Sequence, residues 1–382
     1  MFLVIIAFFV ALIIIFYIYL GYPILIYVLS LIKNNKIKKD IYEPLVSLII
    51  PAYNEENCIA DSLQNKLALN YKKDNLEIIV VSDGSTDRTE EIVTKFENDG
   101  IQLIKQNPRA GKTQALNRAV SMARGQIIVF SDANSMYHPE AIKALLKNFA
   151  DPEVGYVTGQ MKYVNPDGSM MGDGYTSYMR YENFLRERET LVGSIVGVDG
   201  GIDAVRKHLY KPMNPDQLPD LVLPLQVVYQ GFRVVYEPQA ILEESVLTSP
   251  TDEYRMRVRV SLRAFWAIKD MKSLLSIRKF KIFAIQLWSH KVLRYLASIF
   301  FIFLYVTNFF LYNTHLFFTA FFILQNSFYL LSFIAFILNK TGSKVSKLSF
   351  ALYFVLINIA AAHALIKFLE GKRQILWTPR KG

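Results

Sequence analysis

The sequence is nearly free of cysteine, because Cys58 is the only one in 382 residues. A single thiol excludes an internal disulfide and suits a protein whose folded part faces a reducing compartment. The sequence also shows no internal repeat and no low-complexity tract.

Charged residues are absent from two long stretches, Phe2–Ile32 and Tyr295–Asn339. A bilayer span needs about 20 apolar residues, so the second stretch is long enough for two spans, broken near Asn313. Leu348–Ile366 is a further hydrophobic block. The first stretch lacks the basic start, short apolar core and small-residue cleavage site of a signal peptide, which favours a retained anchor. We therefore predict a multi-pass protein of the cell membrane.

The intervening residues 40–270 hold most of the acids, prolines and glycines and are predicted to form one water-soluble domain. Lysines follow the first span directly: Lys33, Lys36, Lys38 and Lys39. By the positive-inside rule they place this domain in the cytoplasm. The net charge of +10 lies largely beside membrane segments. Anionic lipid headgroups account for it there, so we expect membrane lipids and no nucleic acid as partners.

The predicted organisation is an amino-terminal transmembrane helix at 1–32, the domain at 40–270, an amphipathic interface region at 271–294, two or three spans within 295–369, and a basic tail at 370–382. The interface region mixes basic and apolar residues and is expected to lie in the plane of the membrane surface, with a plain connecting helix as the alternative. Three full carboxy-terminal spans would put the tail outside the cell. Its basic residues favour the cytoplasm, so the 348–366 block is our candidate for a tilted or re-entrant helix.

The domain alternates strand-like and helix-like segments, which predicts an α/β fold with a mainly parallel sheet. Leu76–Ser82 and Gln126–Ser131 are short apolar runs that end in Asp83 and Asp132 respectively. Buried parallel strands show this pattern, and ligands bind at the carboxyl edge of such sheets. Two acids at one edge favour a site for a polar, phosphorylated ligand.

Each motif also has a plainer interpretation. Asp83 with Gly84 fits a turn or a helix cap as well as a contact to a base or ribose. Asp132 and Asn134 offer oxygens to a hard cation on a diphosphate, although Asp-x-Asn alone is also a common turn. Arg109–Thr113 is not a Walker A loop, because Gln106 stands where its first glycine belongs.

Two features further along are equally ambiguous alone. Asp220 precedes an apolar helix, where an acid is more often an N-cap than a base. Arg259, Arg263 and Trp266 share one side of a predicted helix at i, i+4 and i+7. Two guanidiniums there are able to bind a diphosphate, and a surface facing solvent or lipid headgroups explains them as well.

Together these motifs resemble the inverting family 2 glycosyltransferases, GT-A fold enzymes that include cellulose, hyaluronan and poly-N-acetylglucosamine synthases. The first motifs in order are Pro51–Glu56, Ser82–Asp87, Arg109–Lys112 and Ser131–Asn134. The resemblance continues through Tyr178–Glu189, Val198–Ile202, Leu218–Asp220 and Arg259–Trp266. It covers roughly residues 44 to 290 and implies a Rossmann-like GT-A domain joined to transmembrane helices.

The resemblance implies a UDP-sugar donor whose uridine contacts Asp83, with Tyr53, Glu55 and Lys112 in the same pocket. Asp132 would lie at the diphosphate and, with Asn134, at a Mg²⁺ or Mn²⁺ ion.

Asp220 would then be the general base. Arg263 with Trp266 would hold the diphosphate and acceptor, and Arg259 would add a second cation for the donor.

Three departures from the family pattern are present. Asn134 replaces the second metal-binding acid, and Pro219 stands where many relatives have an acid before Asp220. Val260 and Ala264 replace the Gln and Trp of the Gln-x-x-Arg-Trp motif of processive members, which puts long-polymer synthesis in doubt.

We predict an inverting hexosyl- or N-acetylhexosaminyltransferase that moves a sugar from UDP to a polysaccharide or lipid-linked acceptor. Export proteins or further copies of the chain are its expected partners. The alternative is a non-catalytic subunit of a membrane polysaccharide-assembly complex that keeps the fold.

Overall fold

The computed structural model of the chain describes residues 1–164, 170–245, 249–341 and 348–375. Its strands form one sheet in the order β3-β2-β1-β4-β7-β6-β8-β5. In chain order they are β1 Val46–Ala52, β2 Leu76–Ser82, β3 Ile101–Lys105, β4 Ile127–Ser131, β5 Met136–Tyr137, β6 Val154–Val164, β7 Ile202–Arg206 and β8 Arg233–Ser245.

The α-helices of the soluble region and the two that precede it fall into three groups. The amino-terminal pair is α1 Phe2–Phe16 and α2 Tyr22–Lys33, joined by a π-helical turn. The helices up to residue 200 are α3 Ile59–Leu67, α4 Thr89–Thr94, α5 Lys112–Met122, α6 Ala141–Leu146 and α7 Met170–Val192. Two more follow, α8 Pro219–Tyr229 and α9 Pro250–Asp270.

The carboxy-terminal helices are α10 Ile277–Gln286, α11 Leu293–Tyr295, α12 Ala297–Leu311, α13 Leu316–Lys340 and α14 Ser349–Leu369. A second π-helical segment, Leu287–Val292, separates α10 from α11. The turn between α12 and α13 falls at residues 312–315, as the sequence predicted.

The sheet is parallel over β3, β2, β1 and β4, and parallel again between β6 and β8. Strand β7 runs antiparallel to both β4 and β6 and joins these two halves. Every residue of β1 is buried, since helices cover both faces of the sheet. The predicted α/β fold with a mainly parallel sheet is confirmed.

Helix α3 starts at Ile59, and the backbone amides of the segment before it bind side chains of Asp87 and Thr89 at the start of α4. The amide of Glu55, for example, donates to Thr89 Oγ1 at 2.8 Å. Pro139 lies just before α6, which begins at Ala141.

Several helices are long and apolar enough to cross a membrane, which confirms that this is a membrane protein. Within the described residues these are Phe2–Lys33, Leu316–Lys340 and Ser349–Leu369, and a fourth is counted if two helices bent by 57° at residue 296 form one span. Of these, α14 packs most closely on the soluble domain. Its Ala360 and Ala364 are buried against Leu262 of α9, because small side chains allow two helices to approach closely.

The segment after α14 lies against the soluble domain. Trp266 Nε1 donates a hydrogen bond to the carbonyl of Lys372 at 2.9 Å. The guanidinium of Arg373 lies 4.1 Å from the centre of the Trp266 ring and forms an ion pair with Asp216. Residues 372–375 are therefore on the same side of the protein as residues 40–270.

We predict that a protease-cleavable tag after Gly382 is protected in sealed, right-side-out vesicles. The contacts of Lys372 and Arg373 require an even number of membrane crossings between the soluble domain and the tail, and we place that domain in the cytoplasm. The matched control is the same tag before Met1, which is expected to be cleaved from outside because α1 and α2 cross once. Cleavage of the carboxy-terminal tag from outside would contradict this topology.

Candidate active site

The carboxyl ends of three neighbouring parallel strands deliver polar residues to one edge of the sheet. Tyr53 follows β1, Asp83 follows β2 and Asp132 follows β4. The amide of Asp83 donates to the carbonyl of Ala52 at 2.8 Å, which holds the carboxyl ends of β1 and β2 side by side. This is the edge at which doubly wound sheets bind ligands.

A cleft beside this edge brings together Lys112, Asp132 and Asp220. Lys112 Nζ lies 2.6 Å from Asp132 Oδ1 and 4.0 Å from Asp220 Oδ1. Burial lowers the pKa of Lys112, but the two carboxylates outweigh this effect and raise it above its usual value. The lysine is therefore a permanent cation between the two acids, as a site for an anionic leaving group requires.

Asp220 lies in the first turn of α8, and Pro219 begins that helix with a φ suited to it. Its carboxylate packs over Gly200, whose φ is +90°. A Cβ at position 200 would collide with the Asp220 carboxyl, so glycine is needed there for space as well as for backbone conformation. Burial raises the pKa of Asp220, and Lys112 opposes the rise. A base with a raised pKa accepts a proton more readily near neutral pH.

Asp83 is fully buried, and its carboxylate already accepts several hydrogen bonds from the protein. Its Oδ1 accepts from Gln106 Nε2 at 2.6 Å and from the amide of Ala110 at 2.8 Å, while Oδ2 accepts from the amide of Gly111 at 2.9 Å. These bonds fix the loop that ends in Lys112. In this structure Asp83 thus shapes the loop that carries the lysine.

Tyr53 and Glu55 do not line the cleft of Lys112 and Asp220. The guanidinium carbon of Arg109 lies 3.4 Å from the centre of the Tyr53 ring. Glu55 accepts a hydrogen bond from the thiol of Cys58 at 3.2 Å. A flat aromatic surface with a stacked arginine is suited to a nucleobase.

The arginines of α9 have different surroundings. Arg263 Nε donates to the carbonyl of Asp216 at 3.2 Å, and its Nη2 donates to Thr113 Oγ1 at 3.1 Å and to the carbonyl of Gln217. These bonds tie the loop before Asp220 to α5 and α9. The guanidinium of Arg263 is therefore engaged by the protein itself.

Arg259, in contrast, has no hydrogen bond or ion pair to any other residue that the structure describes. Burial lowers its pKa, and the negative charges of Asp220 and Asp132 oppose that shift. Arginine stays charged despite such a shift. Arg259 is thus the arginine of α9 whose guanidinium is not engaged by the described residues, whereas Trp266 contacts Phe368 and the tail.

Asp132 and Asn134 follow β4, and only Asp132 lines the cleft. Asn134 Nδ2 donates to Glu244 Oε1 at 3.2 Å, so a metal would have to be bound by the amide oxygen of Asn134. The described residues contain no group of three or more His, Cys, Asp or Glu side chains able to hold a metal. The two residues fit a metal that completes its coordination with phosphate and water, since Mg²⁺ is commonly held by one or two protein oxygens and substrate phosphates.

Sequence reasoning missed two features of this site. Asp203 of β7 lines the cleft and directly follows the Val198–Ile202 motif, but an acid within a strand pattern gave no sign of a role. The contact of the tail with Asp216 joins residues 157 positions apart and has no local sequence signature.

Comparison with known proteins agrees with this geometry. Residues 47–211 match the sequence profile of Glycosyl transferase family 2. This chain contains a glycosyl transferase family 2 domain. The predicted family and the prediction of a glycosyltransferase are therefore confirmed.

The curated relatives of this glycosyltransferase include two staphylococcal enzymes. It is 29% identical over 283 residues to poly-beta-1,6-N-acetyl-D-glucosamine synthase of Staphylococcus aureus, covering 70% of this chain and 68% of that protein. The corresponding Staphylococcus epidermidis protein is 28% identical over 267 residues, covering 66% of this chain and 64% of the relative.

Among solved structures, the mannosyltransferase PcManGT of Pyrobaculum calidifontis, in complex with GDP-Man and Mn²⁺, has the same fold. The TM-score is 0.71 at 21% identity, and the match covers 96% of this chain and 99% of that one. The likeness therefore extends beyond the family 2 domain into the membrane-associated helices.

Proposed function

We propose that this chain is a membrane glycosyltransferase that transfers an N-acetylhexosamine from its UDP-sugar to a glycan or lipid-linked acceptor, with inversion at the anomeric carbon. The observation that supports this proposal most directly is the cleft that brings together Lys112, Asp132 and Asp220. The relatives that make poly-β-1,6-N-acetylglucosamine support the choice of sugar.

The residues divide the chemistry between them. Asp220 takes the proton of the acceptor hydroxyl, which is too weak a nucleophile unaided. Lys112 and Arg259 neutralise the negative charge that develops on the departing diphosphate. One displacement at the anomeric carbon breaks the bond to UDP as the new glycosidic bond forms, which inverts the configuration.

Asp132 and the Asn134 amide oxygen would hold a Mg²⁺ or Mn²⁺ ion against the diphosphate. Such an ion supplies further positive charge for the leaving group. Lys112 Nζ lies 2.6 Å from Asp132 Oδ1, so the lysine and a bound ion would both interact with that carboxylate.

The decisive experiment incubates the purified full-length protein in lipid nanodiscs with UDP-N-acetylglucosamine, UDP-N-acetylgalactosamine, UDP-glucose or GDP-mannose and Mn²⁺. We expect nucleotide release and a labelled product with a UDP-N-acetylhexosamine. Release of GDP from GDP-mannose, with no release of UDP from any UDP-sugar, would contradict the proposed UDP-sugar donor. No nucleotide release with any donor, lipid extract or glycan primer would favour the non-catalytic assembly subunit.

We also predict that Mn²⁺ binds at least about tenfold more tightly when UDP is present, because two protein oxygens cannot fill the coordination shell alone. Electron paramagnetic resonance of free Mn²⁺ measures this without turnover. Asp132→Asn should abolish the UDP-dependent gain, and Asn134→Ala should reduce it less because a neutral ligand is lost. Equal Mn²⁺ affinity with and without UDP would contradict this arrangement.

A further inference from the structure

Asp203 is a buried acid in the active-site cleft to which the proposed mechanism gives no role. Its side chain lies in β7, is 1% exposed and lines the cleft together with Asp220 and Lys112. Acidic side chains are seldom buried to this extent unless they are paired. Its position in the cleft therefore needs an explanation.

The pairing of β7 with its neighbours shows which way Asp203 faces. It is directly opposite Phe130 of β4 and Thr158 of β6. Residues directly opposite in an antiparallel pair have side chains on the same face of the sheet. Phe130 lines the cleft, so Asp203 and Thr158 lie on the cleft side.

Both side chains carry a buried oxygen atom whose hydrogen bonding is incomplete. Within the described residues, Asp203 Oδ1 and Thr158 Oγ1 have no hydrogen-bond partner. Neither residue is exposed to water, with Thr158 at 0%. Buried polar atoms without partners are rare and costly, and two on the face of the sheet that borders the cleft point to groups supplied by a ligand.

The charge state of Asp203 is suited to a neutral ligand. Burial raises the pKa of Asp203 to about 8; the neighbouring Thr158 hydroxyl and Lys112 oppose the rise, while the Asp220 and Asp199 carboxylates add to it. The carboxyl group is therefore mostly protonated at neutral pH. In that form it both donates and accepts a hydrogen bond, as the Thr158 hydroxyl also does.

We propose that Asp203 and Thr158 form a specificity-determining subsite that hydrogen-bonds one hydroxyl group of the transferred sugar. A sugar hydroxyl also donates and accepts a hydrogen bond, so it would supply the partner that Asp203 Oδ1 and Thr158 Oγ1 lack within the described residues. This inference rests on the proposed function, because it assumes that the sugar of the nucleotide donor enters the cleft beside Asp220. A site built to bind a hydroxyl rejects an analogue that lacks it, because the protein groups are then left unpaired.

The test compares wild type with Asp203→Leu, which has similar volume but no polar atom, and with Asp203→Asn, which keeps a donor and an acceptor. For each protein, kcat/KM is measured for the active UDP-sugar and for its monodeoxy analogues. We expect wild type to prefer the parent over one analogue by at least about tenfold. In Asp203→Leu, kcat/KM for the parent UDP-sugar should fall about tenfold, while kcat/KM for that analogue should not change. Asp203→Asn should retain most of the wild-type preference for the parent. Thr158→Val should lower the preference for the same hydroxyl.

UDP lacks the sugar, so its dissociation constant, measured by calorimetry, should be the same for all four proteins. If Asp203→Leu discriminates among the analogues as wild type does, the subsite is wrong. A parallel loss of UDP affinity and melting temperature would show a structural role and would also overturn it. If wild type transfers no sugar, the proposed function fails separately, and the ratio of UDP-sugar to UDP affinity in wild type and Asp203→Leu then decides the subsite. An unchanged ratio would reject it.

Discussion

Replacing Asp220 with asparagine should reduce kcat for sugar transfer by about a thousandfold while the affinity for the UDP-sugar stays nearly constant. The amide has almost the shape of the carboxylate, so the packing over Gly200 is retained. What is lost is the ability to take the proton of the acceptor hydroxyl, which is needed only in the transition state. Radiolabelled transfer under saturating donor, with calorimetry for donor binding, separates the two effects.

The pH profile gives a second measurement on the same residue. Burial raises the pKa of Asp220, and the base must be ionised to act, so wild-type kcat should rise with pH and level off at a higher pH than an ordinary aspartate would give. Activity is lost as pH falls through that pKa, because the protonated carboxyl is no longer a base. The Asn variant should lack this acidic limb.

Asp216→Asn is the matched control, because Asp216 is an acid of the same loop that forms an ion pair with Arg373 of the tail. Most of the turnover should survive in that variant. Near-wild-type turnover in Asp220→Asn, or an equal loss in Asp216→Asn, would remove Asp220 from its proposed role.

The sequence allowed the parallel half of the sheet and the position of the acids to be predicted. Leu76–Ser82 was predicted as a strand and is β2 with the same bounds, because a buried parallel strand requires a continuous apolar run. Asp83 and Asp132 were then expected at one edge of the sheet, since the carboxyl ends of parallel strands lie at the same edge. Hydrophobic periodicity and turn residues are local properties of the chain, so strands and their ends can be predicted from a single sequence.

Contacts between distant segments were not predictable in the same way. Arg263 and Arg259 look equivalent in the sequence, four residues apart on one helix. Only the fold shows that the carbonyls of Asp216 and Gln217 engage the first, while the second makes no hydrogen bond or ion pair within the described residues. The inward position of Asp203 depends on the register between β4, β7 and β6, which no single segment encodes.

This difference between the two arginines leads to a prediction with a large expected effect. Arg259→Met should lower kcat by about a hundredfold or more, because it removes a preorganised cation from the leaving diphosphate. Arg259→Lys keeps the charge but loses the planar fork of donors, so it should recover part of that loss. Steady-state kinetics with the natural donor measures both variants.

Arg263→Met is the matched comparison on the same helix. Its guanidinium binds the loop before Asp220, so its loss should lower the melting temperature and misplace the base, whereas Arg259→Met should leave the melting temperature nearly unchanged. The two variants should also differ towards UDP: Arg259→Met weakens its binding through the lost charge, and Arg263→Met does so far less. The opposite pattern, in which Arg263→Met weakens UDP binding at unchanged stability and Arg259→Met does not, would assign the diphosphate to Arg263, as the family resemblance alone implied.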